Sequence, residues 1–132
     1  MLNELSANMM QELDAQAEFY PPSVLEQIDH YRESDFSPQD WNRIMYFKGK
    51  ALFTMNKAKE AEAIAVDCIR KSIVAADFYT LVKCYVLQAV AYYMTDNEDR
   101  IGPLLEIAEE YAIESADYEL IIHALCANLY FL

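Results

Sequence analysis

Two stretches of the chain, residues 51–92 and 91–132, lie over each other without a gap at an offset of forty residues. Ala51 meets Ala91, Ile73 meets Ile113, and Ala76-Asp77-Phe78 meets Ala116-Asp117-Tyr118. Conservative pairs fill the interval: Ile64 over Leu104, Cys68 over Ala108, Phe53 over Tyr93, and Leu81-Val82 over Ile121-Ile122. A constant offset with small and apolar residues in phase marks stacked supersecondary units, each needing its neighbour to cover an apolar face. Few folds satisfy that condition.

The local pattern names the units. Apolar residues Leu2, Leu5, Met9, Leu13 and Ala17 recur every three or four positions and predict a helix over residues 2–18. Pro21-Pro22 stops it, and Pro22 can open a second helix carrying Val24, Leu25, Ile28 and Tyr31. Ser37-Pro38-Gln39-Asp40 is a strong start signal: a capping hydroxyl, proline at the first helical position, and a carboxylate placed to answer the cap. A helix to about residue 55 follows, then one over residues 58–75 whose alanines allow close approach of a neighbour. Asp77 and Asp117 each precede an apolar run and predict N-caps for helices that begin after them. Gly102-Pro103 predicts that the sixth helix becomes regular only near Pro103. A seventh helix runs to Leu132, ending in the apolar Leu129, Tyr130, Phe131 and Leu132. No alternation of strand type competes.

Length and composition place one domain here, residues 1–132, divided into a degenerate helix pair (1–37), two repeats (38–77 and 78–117) and the first helix of a truncated third (118–132). The uncapped apolar end leads us to expect a fragment of a longer protein. Net charge is −12, from 22 acidic and ten basic residues, which disfavours nucleic acid and anionic membranes as partners. The N-terminus has no basic leader, no segment approaches a membrane span, and the expected location is cytoplasmic. Cys68, Cys84 and Cys126 are odd in number and widely spaced, and are expected to be buried, reduced and without a metal.

With the forty-residue period, residues 38–132 resemble the tetratricopeptide repeat (TPR) in its longer variant. Met45 and Tyr85, Gly49 and Ala89, and Leu52 and Tyr92 take its bulky, small and bulky positions on the first helix of each pair. Ala61 with Cys68, then Ile101 with Ala108, fall at the small positions of the second helix. Lys48, Gln88 and Asn128 depart from the pattern by being polar where it is bulky, Ile101 by being large. The resemblance implies an all-α fold of about seven helices, a right-handed superhelix of antiparallel pairs (an α-solenoid), whose concave groove is lined by the first helix of each pair. The family's groove positions fall on Arg43, Tyr46, Lys50 and Phe53, then Lys83, Val86, Val90 and Tyr93, then His123, Cys126 and Tyr130.

In an acidic chain these positions carry Arg43, Lys50, Lys83 and His123 and no carboxylate. Cations among aromatic rings suit an acidic or carboxylate-bearing peptide; alternatively they balance acidic helices nearby. Catalysis finds little support. His123 and Cys126 at i, i+3 match a Cys–His nucleophile in spacing but sit on an apolar helix. Glu106, Glu109, Glu110 and Glu114 lack an accompanying Glu-x-x-His and read as a solvated face, and two glycines cannot build a phosphate loop. We therefore expect no enzyme, cofactor or metal. The leading expectation is a protein- or peptide-interaction or sensory module regulating an attached output domain in a bacterial signalling protein. The alternatives are a small acidic secretion chaperone with such repeats, and a structural array that self-associates through its last helix.

Overall fold

A computed structural model describes residues 2–131; the expectations for Met1 and Leu132 lie outside them. Among these residues seven α-helices follow in order: α1 (Ala7–Phe19), α2 (Pro21–Asp29), α3 (Pro38–Thr54), α4 (Ala58–Ala75), α5 (Phe78–Met94), α6 (Ile101–Ser115) and α7 (Tyr118–Tyr130). The fold is all-α. Helices α1, α3, α5 and α7 touch in sequence and form one row, and α2, α4 and α6 each pack against the two row members that flank them.

The turns carry the repeat in their backbone. Asn56 and Asp96, forty residues apart, both adopt positive φ (64° and 60°), as do Ala76 and Ala116 (53° and 56°). A left-handed residue reverses the chain just past a helix and lets the next amide bond five residues back. Lys57 N donates to Leu52 O, Asp77 N to Ser72 O, and Asn97 N to Tyr92 O, at 2.9–3.0 Å. Asp77 then caps the following helix, accepting from Thr80 N, while Asp117 accepts from Glu119 N at 2.9 Å and Leu120 N at 3.4 Å. One residue ends a helix and the next begins another, which keeps the helices antiparallel.

Small residues set the spacing between layers. Ala61, Ala65 and Cys68 of α4 are fully buried, and a Cβ added to Gly49 would stand 3.1 Å from Ile64 Cγ2 and from Leu87 Cδ2. The core lies in two clusters. One joins α1 to α5 around Leu13, Val24, Ile44 and Phe47, and the other joins α5 to α7 around Val82, Leu105, Ala108 and Ala124. Phe47 is wholly buried, so its truncation to Ala costs about 3–5 kcal/mol.

Three boundaries differ from the sequence reading. α1 starts at Ala7 rather than residue 2, because Ser6 Oγ caps Met9 N and residues 2–5 run extended beside the segment before α3. There Asn3 N donates to Asp35 O, and Leu5 N donates to Asp40 Oδ2 at 3.2 Å. Ser37 caps α3 as expected, accepting from Asp40 N, but the Asp40 carboxylate is spent on Leu5 and not on the cap. Tyr31 lies past the end of α2, its ring 5.3 Å from that of Phe36. α6 is helical from Ile101, entered through a 3-10 turn at Glu98–Arg100. Pro103 falls in its first turn, where a backbone N–H has no partner within the helix and its loss costs little. Among the described residues, no helix is long and apolar enough to cross a membrane.

Candidate functional site

The row of odd-numbered helices carries the groove positions, and the structure divides them. Arg43 is clamped: Nε donates to Asp77 Oδ2 and a terminal nitrogen to Asp77 Oδ1, both at 3.0 Å, and the guanidinium lies 5.2 Å from the ring centre of Tyr79. Asp77 is 4% exposed. Burial pushes its pKa up, but hydrogen bonds from Arg43 and from Thr80, whose Oγ1 donates at 2.7 Å, outweigh that and hold it below the usual carboxylate value. The same hydrogen bond with Asp77 raises Arg43. Lys50 Nζ donates to Asp14 Oδ1 of α1 at 2.7 Å. Two of the groove's cations are thus met by carboxylates that the groove positions do not include.

Lys83 stands differently. No carboxylate lies within ion-pair distance of it among the described residues; its Nζ is 3.4 Å from His123 Nδ1 and 5.7 Å from the ring centre of Tyr79. An ammonium only donates, so Nδ1 accepts and the imidazole proton sits on Nε2, which has no partner among the described residues. Burial first, then Lys83 and Lys50, lower His123 to about 4, and burial lowers Lys83. Lys83 borders a cleft of about 240 Å³ that is also lined by Met10, Gln11, Asp14, Tyr79, Asp117 and Glu119.

At the other end of α5, four groove positions meet. Phe53, Val90, Tyr93 and Tyr130, with Met94 and Phe131, line an apolar cleft of about 270 Å³. The Tyr93 and Phe131 rings are 5.4 Å apart. Lys83 and Val90 are seven residues apart on α5, two helical turns or about 10 Å.

The remaining positions do not join a site. Tyr46 is 3% exposed and packs on Phe47, and Val86 is buried in the second core cluster. Cys126, expected to be buried like Cys68 and Cys84, is exposed, because α7 has a neighbour on only part of its circumference. Asp14, Asp77 and Tyr79 complete the charged end and were missed as site residues. Asp14 lies outside the repeated stretch, Asp77 precedes α5, and Tyr79 stands one turn before Lys83 on the same face, ahead of the first position assigned.

A second surface is apolar. Tyr118 (81% exposed), Ile122, Leu125 and Leu129 form a stripe along α7. Forty residues earlier stand Phe78, Val82, Tyr85 and Ala89, which pack against the core cluster that α5 shares with α6 or against Tyr111. The α7 stripe is therefore the face that, one repeat earlier, receives a helix. No known protein family, curated protein or solved structure matches the chain.

Proposed function

We propose that the chain is a cytoplasmic protein-interaction module, a right-handed superhelix of TPR-like helix pairs that binds an acidic peptide and so regulates an attached output domain. The observation that carries this reading is the layout of the groove along α5: a lysine with no carboxylate within ion-pair distance among the described residues and, two helical turns of about 10 Å further along the helix, a position lining an aromatic cleft. An extended peptide spans that distance in about three residues. Its carboxylate pairs with Lys83, and an apolar side chain enters between Phe53, Tyr93 and Tyr130. Arg43 and Lys50 take no part in the recognition, since Asp77 and Asp14 already neutralise them.

The test is a fluorescence-polarisation titration with extended peptides carrying Asp or Glu three residues from Phe or Leu. Lys83→Glu and Tyr93→Ala are each expected to weaken binding at least tenfold with the helical circular-dichroism signal retained. Selective peptides whose affinity ignores both substitutions would place the binding face elsewhere.

A second reading is favoured by the exposed α7 stripe: an array that self-associates through its last helix. Light scattering over a dilution series decides it, and a concentration-independent monomer removes it.

A further inference from the structure

The two repeats differ at one place in a way that exposes a cavity. Between the first turn of α3 and the last turns of α4 lies an open cleft of about 470 Å³, bounded by Pro38, Gln39, Asn42, Lys71, Val74 and Ala75. Asp77, whose carboxylate is held by Arg43, also lines it, and none of the groove positions does. Forty residues on, Pro38 becomes Phe78 and Lys71 becomes Tyr111. Those two rings pack 6.1 Å apart, and Tyr111 stacks in turn on Tyr85 at 6.0 Å. The same helix-pair frame holds aromatic rings at this seam in the second repeat and leaves it open in the first.

The rim changes sign as well. Arg70 and Lys71 stand where the second repeat has Glu110 and Tyr111, so the cleft mouth is basic in a chain of net charge −12. Among the described residues both cations bond only to the half-exposed Asp67, with Lys71 Nζ 3.0 Å from its Oδ2. Exposed pairs of this kind hold their partners weakly, so the cations can turn to another anion at little cost. The floor is fixed: Asn42, 4% exposed, donates from Nδ2 to Ser72 Oγ at 2.9 Å and to Cys68 O at 3.2 Å.

We propose that this cleft binds an aromatic ring that carries a carboxylate, the ring lying where Phe78 and Tyr111 lie in the second repeat and the carboxylate meeting Arg70 and Lys71. A cavity of roughly 150 Å³ already accommodates benzene, so ring size sets no obstacle. The ligand is either a free aromatic acid or the C-terminal aromatic residue of a peptide.

The experiment is an amide NMR titration with phenylacetate, benzylamine, acetate and the tripeptide Gly-Gly-Phe. Phenylacetate is expected to shift the amides of Gln39, Asn42, Val74 and Ala75 and to bind at least tenfold tighter than benzylamine or acetate. Pro38→Phe with Lys71→Tyr installs the second repeat's own residues and is expected to abolish binding. The exposed substitution Arg70→Glu, taken from Glu110, is expected to remove the preference for acid over amine, and it stands as the test should the filled variant not fold. Gly-Gly-Phe binding tighter than phenylacetate assigns the site to peptide ends, and weaker binding assigns it to free acids; either supports it. Shifts elsewhere on the surface, equal affinity for phenylacetate and benzylamine, or affinity unchanged by Arg70→Glu would overturn the proposal.

Discussion

Residues 38–77 and 78–117 share a backbone plan and differ in the chemistry of their seams. Both have left-handed residues at equivalent turns, an aspartate cap at the close, and a small residue (Gly49, Ala89) buried on the first helix. In the first repeat the seam is polar: Asn42 bonds Ser72 and Cys68, and Arg43 reaches across to Asp77. In the second, Val82 and Ala112 replace Asn42 and Ser72, rings replace the open cleft, and Lys83 does not pair with Asp117 among the described residues. The turns set where side chains stand. They do not dictate whether polar or apolar contacts hold the helices together there, because either kind satisfies the same geometry.

That comparison breaks most readily at the two caps. Asp77→Ala removes a cap and strands the partly buried Arg43, and is expected to cost about 3 kcal/mol in urea denaturation. Asp117→Ala removes an exposed cap alone and is expected to cost about 1 kcal/mol. Equal losses would mean that the Arg43–Asp77 pair contributes nothing specific to the first repeat.

A second test concerns Arg43, Lys83 and His123, which share one repeat position. His123 binds its proton at about 4 in the folded chain and near 6.5 when unfolded, so the unfolded state gains the proton first as pH falls. Its contribution is therefore complete above about pH 6.5 and declines down to about pH 4. His123→Gln is expected to reduce the pH slope of stability in that window by up to about 1.4 kcal/mol per unit. An identical slope in the variant would show that His123 ionises freely in the folded state.

The turns should respond alike. Ala76→Gly and Ala116→Gly relieve the left-handed strain of an L side chain, each raising stability by about 1 kcal/mol. A gain at one site only would show that the turns are not equivalent. The smallest effect is expected from Asn42→Val with Ser72→Ala, which writes the second repeat's apolar pair into the first. It removes Asn42 Oδ1, which has no partner among the described residues, and should leave stability within about 1 kcal/mol of the parent or above it. A larger loss would show the polar seam to be structurally required.

Helix number, order and most boundaries were legible because apolar spacing, prolines and the Ser37, Asp77 and Asp117 caps act within a few residues. The start of α1 was not, since Leu5 is drawn out of the helix by a carboxylate 35 residues away. The groove was legible in part. Phe53, Val90, Tyr93 and Tyr130, which the resemblance assigns to three helices of one groove, line a common cleft, whereas the fate of its charges depended on Asp14 and Asp77 arriving from outside the assumed set.

By itself, then, the forty-residue period determined an array of helix pairs and the phase in which side chains recur, because helical spacing and capping are local. Only the tertiary structure decided which cations remain available and which seam is open. Ion pairing and cavity filling depend on groups distant in sequence: Asp14 neutralises Lys50 across α1 and α3, and the rings of Phe78 and Tyr111 fill a place that Pro38 and Lys71 leave empty.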